Sequence, residues 1–315
     1  MVINMSELKH YSVLLNESIE GLNIKSDGIY VDGTLGGAGH SSVILSKLSD
    51  KGFLYGFDQD QLAIDIASEK LSKIGSNFEI IKSNFCYLKT ELTLRNIDKV
   101  DGFLFDLGVS SFQLDIPERG FSYRFDGRLD MRMNQDSSLD AYTVVNTYSE
   151  AELRRIIFEY GEDKHAPLIA RGIVKARSIK PIETTFELVE VIKKSLPASA
   201  LRGSGHPAKQ TFQAIRIEVN QELEVLKTAL SDALSMLNKN GRLVVITFHS
   251  LEDRLVKKLF KEKTTLDLPK GIPFIPEGYE LEYKLVNNKV ILPSEEELSC
   301  NNRSHSAKMR IIEKI

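Results

Sequence analysis

The strongest constraint on the fold is an alternation of short apolar segments with amphipathic ones near the start of the chain. Apolar runs with the length of buried strands lie at 28–32, 52–58, 78–82 and 101–106. Stretches with helical spacing, at 40–48 and 61–74, separate the first three. Strands that alternate with helices predict a parallel sheet with right-handed crossovers, and therefore an α/β fold.

A long interval interrupts this alternation. Between Asp106 and Arg242, where the next strand-like run begins, lie 135 residues. A crossover between parallel strands needs about a dozen residues and its helix, so about 100 residues are surplus. We therefore predict an inserted, mainly α-helical domain at 114–216, within a core domain formed by 1–113 and 217–315.

Local patterns predict the elements of the insert and of the C-terminal part. Two capping boxes mark helix starts, Ser149 with Glu152 and Thr184 with Glu187. An apolar stripe at 212–237 in steps of three and four predicts a long helix, with a bend near Asn220 and an end at 240–241. The last three predicted strands are 283–285, 290–292 and 308–312.

Composition and charge exclude several classes of protein. Apolar residues make up 42% and charged residues 27% of the chain, as in an ordinary globular protein. No apolar run approaches the ~20 residues that span a bilayer, and residues 1–8 lack the regions of a signal peptide. The net charge of −3 excludes a nucleic-acid binder that depends on bulk positive charge. We predict a cytoplasmic protein without a membrane partner.

The cysteines and histidines predict neither disulfides nor a metal site. Cys86 and Cys300 are the two cysteines, and the six histidines show no metal-ligand spacing. Two small core residues are the simpler interpretation of the cysteines. For the oligomeric state, a monomer and a homodimer both remain open.

A glycine-rich turn carries the first chemical signal. The sequence DGTLGGAGH at 32–40 lies between a predicted strand and a predicted helix, where glycines allow the backbone to approach a ligand. Asp58 ends the next strand, 26 positions after Asp32. A carboxylate at that place can accept both hydroxyls of an adenosine ribose. A solvated aspartate at a strand end is the structural alternative for Asp58.

Two cofactor classes share this layout. A nicotinamide enzyme favours the pattern G-x-G-x-x-G, in which the third glycine permits close packing of helix and strand. Here Ser42 occupies that third position, after Gly37 and Gly39. An acidic residue such as Asp32 suits the methionine ammonium of S-adenosylmethionine (SAM). The turn therefore favours SAM over a dinucleotide.

The loop after the fourth strand, DLGVSS at 106–111, carries the third signal. Ligands of open α/β sheets bind outside the carboxyl ends of the strands, so this loop is expected to face the transferable group. A loop cap for Gly108 or Ser110 is the structural alternative for Asp106.

Further motifs follow in order over nearly the whole chain, and together they resemble the bacterial 16S ribosomal RNA cytosine-N4 methyltransferase family of the RsmH (MraW) type. The matching stretches are DGT at 32–34, GHS at 39–41, DLGVSS at 106–111, ERGFS at 118–122, LDMRM at 129–133, HPA at 206–208, TFQA at 211–214 and SLEDR at 250–254. The resemblance implies a Rossmann-like class I SAM-dependent methyltransferase core with an inserted helical substrate domain.

The resemblance also implies SAM as cofactor, 16S rRNA or the small ribosomal subunit as partner, and a set of cofactor contacts. The backbone of the glycine turn is expected to matter more than the imidazole ring within it. The implied cofactor contacts are Ala38, Gly39, His40, Asp58, Phe85, Asp106 and Gln113.

The implied reaction is methyl transfer to the exocyclic N4 of a cytidine. This nitrogen is a poor nucleophile and gains positive charge as it attacks, so the site is expected to offer hydrogen-bond acceptors. We predict Asp106 as the acceptor, with the hydroxyls of Ser110 and Ser111. The target base has to leave its stack. The candidates for stacking on it are Phe112, Phe121, Tyr123 and Phe248.

Local basic segments are the predicted contacts to RNA, although a charge run is usually a solvated face. The segments 164–181, 193–217 and 301–310 contain lysines and arginines without an acidic residue. The predicted RNA contacts are Lys193, Lys194, Arg202, Lys209, Arg216 and Arg303. The tripeptide 252–254 is interpreted as a structural hydrogen-bonding turn.

Three alternatives remain open from the sequence. A nicotinamide oxidoreductase shares the fold, and a non-catalytic ribosome-assembly factor would keep SAM as a structural ligand. A methyltransferase that acts on protein or a small molecule is disfavoured by the size of the insert.

Overall fold

The computed structural model describes residues 12–203, 205–266 and 280–315. The chain divides into two units, 1–108 with 223–315, and 109–222. The sequence placed the insert at 114–216, a few residues inside the second unit at either end. Residues 1–8, where the sequence predicts no signal peptide, lie outside the described residues.

Seven strands form one sheet in the described part of the first unit, in the order β3-β2-β1-β4-β5-β7-β6. The strands β1 to β5 pair in parallel, and β7 pairs antiparallel with both β5 and β6. The strands are β1 Ile29–Asp32, β2 Phe53–Asp58, β3 Phe78–Lys82, β4 Val100–Asp106, β5 Leu237–Thr247, β6 Tyr283–Leu285 and β7 Lys308–Lys314.

The α-helices of the described residues divide between the two units, with α5 to α11 in the second. They are α1 Leu15–Leu22, α2 Gly39–Ser46, α3 Gln61–Ser72, α4 Leu88–Leu94, α5 Ser111–Asp115, α6 Ala141–Thr147, α7 Glu150–Glu159, α8 Ala166–Arg177, α9 Thr185–Ser195, α10 Ala198–Leu201, α11 Lys209–Asn220, α12 Glu222–Met236, α13 Ser250–Lys263 and α14 Glu295–Cys300. None of them is both long and apolar enough to cross a membrane.

Apolar side chains cover both faces of the sheet, as expected for strands buried between helices. Phe103 and Phe105 of β4 belong to one buried cluster, whereas Leu104 between them belongs to another. Successive side chains of a strand point to opposite faces, so these two clusters lie on opposite sides of the sheet. The sheet is therefore a rigid base for the loops at its carboxyl edge.

The second unit has an apolar core of its own. Leu153 and Ile156 of α7, Ile169 of α8, Leu188 of α9 and Ile215 of α11 are fully buried in one cluster. Both predicted capping boxes are present, at the starts of α7 and α9. The expectation of a helical insert is confirmed in these elements.

Two predicted elements differ from the structure. The long helix ends at Met236, and β5 begins at once at Leu237, which pairs with Val100. The helical spacing of the leucines continues into the strand, so periodicity alone missed this boundary. The strand predicted at 290–292 was wrong, because that segment makes only an isolated bridge from Ile291 to Met309.

The predicted bend near Asn220 is confirmed. Gln221 has a left-handed backbone, with φ of 51°, and separates α11 from α12. The Asn220 side chain accepts from the Met133 amide and donates to the Met131 carbonyl, which secures the end of α11.

Candidate active site

Three aspartates end three neighbouring parallel strands. Asp32 is the last residue of β1, Asp58 of β2 and Asp106 of β4. The order β2-β1-β4 in the sheet brings these carboxyl ends to one edge. Ligands of open α/β sheets bind at this edge, so the three carboxylates define the candidate site of the first unit.

Asp32 fixes the glycine-rich turn. Its side chain is buried, accepts from Ser41 Oγ at Oδ2 over 2.7 Å, and accepts from the Thr34 amide at Oδ1 over 3.1 Å. Burial raises the pKa of this carboxyl, and the hydrogen bond from Ser41 lowers it in part. Asp32 thus connects the start of the turn to the first turn of α2.

The turn has a left-handed backbone at two positions. Gly36 has φ of 48°, and an added Cβ would meet its nearest atom only at 3.8 Å. Ala38, which precedes α2, is also left-handed with φ of 54°. At Gly39, by contrast, a Cβ would lie 1.7 Å from Ser12 Oγ, so a side chain there would require Ser12 to move. The predicted contacts Ala38 and Gly39 are therefore backbone positions.

Asp58 supports the same turn from the next strand. Its Oδ2 accepts from the Gly36 amide and its Oδ1 from the Asp60 amide, both over 2.9 Å. A carboxylate has about four lone-pair sites, so acceptor capacity remains for a further donor. Burial raises the pKa of Asp58 to about 6. This is not the environment of the solvated strand-end aspartate that was the structural alternative.

Asp106 and His40 face each other across the site. The Nδ1 atom of His40 lies 3.7 Å from Oδ2 of Asp106, too far for a hydrogen bond. Burial lowers the pKa of His40 to about 4, so the ring is neutral near pH 7. Its Nε2 lies 3.1 Å from the Val13 carbonyl, and this contact requires the proton on Nε2. Nδ1 therefore presents a lone pair towards Asp106.

The surroundings of Asp106 disfavour the ionised form of its carboxyl. Its Oδ1 is buried and has no hydrogen-bond partner among the described residues. Burial raises its pKa well above the ordinary range, and the charges of Asp32, Glu252 and Glu297 add to the effect. The backbone amide of Asp106 is held by Thr34 Oγ1 at 2.6 Å. An acceptor pair of this kind, Nδ1 of His40 and the carboxyl of Asp106, suits a cationic or N–H donor ligand.

Aromatic residues lie beside two of these strands. Phe85 is half-buried, and its ring packs edge-on against Phe105, with 5.5 Å between centroids. Phe248 follows β5 and faces Gly108, where an added Cβ would lie 3.3 Å from the Phe248 ring. Of the four aromatic candidates for stacking, Phe248 is the one in the first unit.

A buried histidine–glutamate pair holds the segment that contains Phe248. Oε2 of Glu252 accepts from the Phe248 amide at 2.8 Å and from the His249 amide at 3.3 Å. Asp253 pairs with Arg310 at 2.8 Å and with Lys308 at 3.4 Å. The structural interpretation of 252–254 is therefore confirmed for Glu252 and Asp253, although they form the first turn of a helix.

Ser110, Ser111 and Gln113 belong to the second unit. Ser110 caps α5 by accepting from the Gln113 amide at 3.3 Å, and Gln113 Oε1 accepts from the Ser110 amide at 3.1 Å. Ser111 Oγ is buried without a hydrogen-bond partner among the described residues. Ser110 and Gln113 therefore stabilise the start of α5. The sequence suggested other roles for them, Ser110 as an acceptor for the amine and Gln113 as a cofactor contact.

Several cations of the predicted RNA-binding segments form ion pairs with acidic residues that lie outside those segments in the sequence. Arg216 makes two bonds to Glu222, at 2.7 and 2.8 Å, and its side chain is only 15% exposed. Lys193 pairs with Glu190 at 3.0 Å but is 41% exposed. The other predicted contacts of the second unit, Lys194, Arg202 and Lys209, are exposed, and Arg303 of the first unit is half-buried. Arg216 is thus the candidate least suited to bind phosphate.

Sequence reasoning missed the contacts through which three residues build the site. Ser41 and Thr34 lie inside the quoted motif, but their bonds to Asp32 and to the Asp106 amide need the folded turn. Glu252 follows His249 by three positions, which is the spacing of a capping box and a usable signal.

Comparison with known proteins identifies the family. The MraW methylase family matches residues 7–315. The chain belongs to this family.

The relatives include a Ribosomal RNA small subunit methyltransferase H of Streptococcus mutans serotype c, 58% identical over 98% of this chain and 99% of the relative. The protein of the same name from Streptococcus dysgalactiae subsp. equisimilis is 57% identical over 98% of both chains. A solved Streptococcus mutans protein in complex with SAH aligns with 97% of this chain and 100% of its own, at 13% identity and a TM-score of 0.43.

Membership of the MraW methylase family confirms the predicted resemblance, the enzyme class of SAM-dependent methyltransferase and the Rossmann-like fold. It also decides between the two cofactor classes in favour of SAM. The carboxylates fit this result. A carboxylate such as Asp32 suits the ammonium of SAM, whereas Asp58 would suit the ribose of either cofactor class.

Proposed function

We propose that this MraW methylase transfers a methyl group from SAM to the exocyclic N4 of a cytidine in 16S rRNA of the small ribosomal subunit, in the cytoplasm. The match to the family over residues 7–315 carries the proposal. The names of the 57–58% identical relatives support ribosomal RNA of the small subunit as the substrate.

The cofactor residues follow from the chemistry of each group. Asp58 ends β2, where a carboxylate is suited to accept from the ribose hydroxyls, and Phe85 lies after β3, where an adenine would be expected. Gly39 and His40 begin α2 directly after Ala38, so the amides of Gly39 and His40 suit the methionine carboxylate. Bound SAM supplies an electrophilic methyl group on a positively charged sulfur.

The acceptor pair at Asp106 suits an aromatic amine as nucleophile. The lone pair of a cytidine N4 is delocalised into the ring, and the nitrogen becomes positively charged during attack. Asp106 accepts a hydrogen bond from the amine, which localises the lone pair and stabilises the developing charge. The neutral His40 offers Nδ1 as a second acceptor 3.7 Å from that carboxyl. The unpartnered Oδ1 of Asp106 gains a donor when the amine enters.

The amine loses a proton after the transfer, and Asp106 is suited to receive it. A raised pKa makes its carboxyl a better base than an ordinary aspartate. Positioning of the nucleophile near the methyl carbon contributes the rest of the rate. Ser110 and Ser111 remain proposed auxiliary acceptors, Ser111 on the strength of its unpartnered hydroxyl.

The direct test uses tritiated SAM, with small ribosomal subunits and naked 16S rRNA from cells that lack the enzyme. We expect label in N4-methylcytidine after digestion to nucleosides, and the better of the two substrates identifies the form in which the RNA is recognised. Tight SAM binding without label in either substrate would contradict the proposal and favour the assembly-factor alternative.

A further inference from the structure

Two aromatic rings of the second unit stack on each other. The rings of Tyr123 and His206 are nearly parallel, at 9°, with 4.3 Å between centroids. Phe212, which is buried, meets Tyr123 edge-on at 5.8 Å and 89°. Tyr123 and His206 are both half-buried, so the stack is anchored in the core on one side and reaches the surface.

Two cations act electrostatically on this stack. Burial lowers the pKa of His206, and the positive charges of Lys193 and Arg124 lower it further, so both cations are within electrostatic range of the ring. Arg124 is exposed, and Lys193 is 41% exposed in its pair with Glu190. An exposed ion pair of this kind contributes little stability, so a phosphate can replace Glu190 as the partner of Lys193.

The imidazole itself offers a hydrogen-bond donor. Nδ1 of His206 accepts from the Ala208 amide at 3.3 Å, so the neutral ring carries its proton on Nε2. The adjacent backbone leaves room, because a Cβ added at Gly205 would meet no atom within 4 Å. The surface is therefore open at Gly205, the residue before the half-buried ring.

We propose that the Tyr123–His206 stack, with Arg124 and Lys193, binds an unpaired nucleotide of the RNA substrate. The base extends the stack of rings, and its phosphate lies at the two cations. This inference rests on the proposed function for RNA as the substrate, but it assigns a contact site within the insert. Stacking on aromatic rings next to cations is the physical basis of binding to single-stranded nucleic acid.

Single-stranded RNA suits this arrangement better than a duplex. The bases of a duplex are already stacked within the helix and leave only phosphates and sugars for contact. An aromatic pair would add nothing to a duplex, whereas an unpaired base can extend it. The site is therefore expected to distinguish single-stranded RNA from a duplex of the same sequence.

The test measures binding of a fluorescent single-stranded RNA oligonucleotide, and of the same sequence as a duplex, to the full-length protein with SAH present. We expect Tyr123→Leu and His206→Ala each to weaken binding of the single strand about tenfold, with a smaller effect on the duplex. Tyr123→Phe keeps the ring and is expected to bind as the unmodified protein does. Arg124→Ala with Lys193→Ala is expected to reduce the salt dependence of binding.

Controls separate this inference from folding and from the proposed function. Arg154→Ala removes an exposed cation of α7 outside the cluster and is expected to leave binding unchanged, and helical circular dichroism with urea unfolding reports whether the second unit of each variant is folded. If Tyr123→Leu is unfolded, ultraviolet crosslinking of the unmodified protein to the oligonucleotide gives an independent readout at Tyr123 and His206.

Unchanged affinity in folded variants, or crosslinks confined to other peptides, would overturn the inference even if methyl transfer to 16S rRNA is observed. Crosslinks at Tyr123 and His206 without methyl transfer would instead support the inference and contradict the proposed reaction.

Discussion

At the scale of single residues, Asp106 and His40 show how a buried acceptor pair is prepared for a donor. One oxygen of Asp106 has no partner among the described residues, and the lone pair of the neutral His40 ring points at the other. The unpartnered Oδ1 of Asp106 is not satisfied by the described residues, and a buried group of this kind costs about 1–3 kcal/mol. A ligand with N–H groups removes that cost on binding.

Replacement of Asp106 by asparagine tests its part in the reaction. The substitution keeps the size and removes the charge that stabilises the amine, so we expect kcat to fall about 100- to 1000-fold. SAM affinity, measured by calorimetry, is expected to change much less. Asp101→Asn is the matched control, because that aspartate is at the opposite end of β4, where it pairs with Lys25. Unchanged turnover in Asp106→Asn with SAM bound would refute the role of this carboxyl as acceptor.

The raised pKa of Asp58 predicts how cofactor affinity depends on pH. The carboxyl has a pKa of about 6, so it is ionised at pH 7.5 and protonated at pH 5. Only the ionised form accepts both ribose hydroxyls, so SAM affinity is expected to decrease as the pH falls through 6. Calorimetry at several pH values measures this for the unmodified protein and for Asp58→Asn. If the two pH profiles were parallel, the titration would belong to another group, such as Asp32.

At the scale of elements, the break between α11 and α12 has a measurable strain. Gln221 is left-handed, which costs a residue with a Cβ about 1–2 kcal/mol. Glycine removes that cost but gains freedom in the unfolded chain, so we expect Gln221→Gly to stabilise the protein by up to about 1 kcal/mol. Urea unfolding measures the change, and Gln221→Ala, which keeps a Cβ, is the control. Equal stabilities of the two variants would contradict the strain.

The sequence predicted the bounds of strands and helices best where a single local pattern marks the boundary. The ends of β1, β2, β3 and β4 were predicted correctly, because each strand stops at a polar residue after an apolar run. The boundary at Met236 was missed, because Leu234 and Leu237 keep helical spacing across it. The start of β5 depends on pairing with Val100, which only the assembled sheet provides.

The candidate site, like the fold, was predictable only where a contact does not depend on the folded path of the chain. The three strand-end aspartates were predictable, since topology alone places the carboxyl ends of parallel strands at one edge. The bonds from Ser41 to Asp32 and from Thr34 to the Asp106 amide were not, because they depend on the path of the turn. The stack of Tyr123 on His206 joins residues 83 positions apart, and no local pattern predicts such a contact.

At the scale of the whole molecule, the second unit is expected to fold without the first. Its helices bury a single apolar cluster that draws on α6, α7, α8, α9 and α11. A fragment of residues 109–222 is expected to unfold cooperatively in urea, with the helical circular dichroism of a folded bundle. The fragment with Ile156→Asp, which places a charge in that cluster, is the control and is expected to remain unfolded. A non-cooperative transition of the unmodified fragment would show that its core depends on the rest of the chain.

The pairing of β4 with β5 also determines the order in which the nascent chain matures. Synthesis of β4 ends at Asp106, and its partner β5 begins only at Leu237. At a rate of about 10 residues per second, translation takes roughly 13 s to supply that partner. During this time the helices of 109–222 emerge completely, while one edge of β4 has no neighbour. An unpaired strand edge promotes aggregation, so a chaperone that covers the edge of β4 is expected to be most useful during this interval.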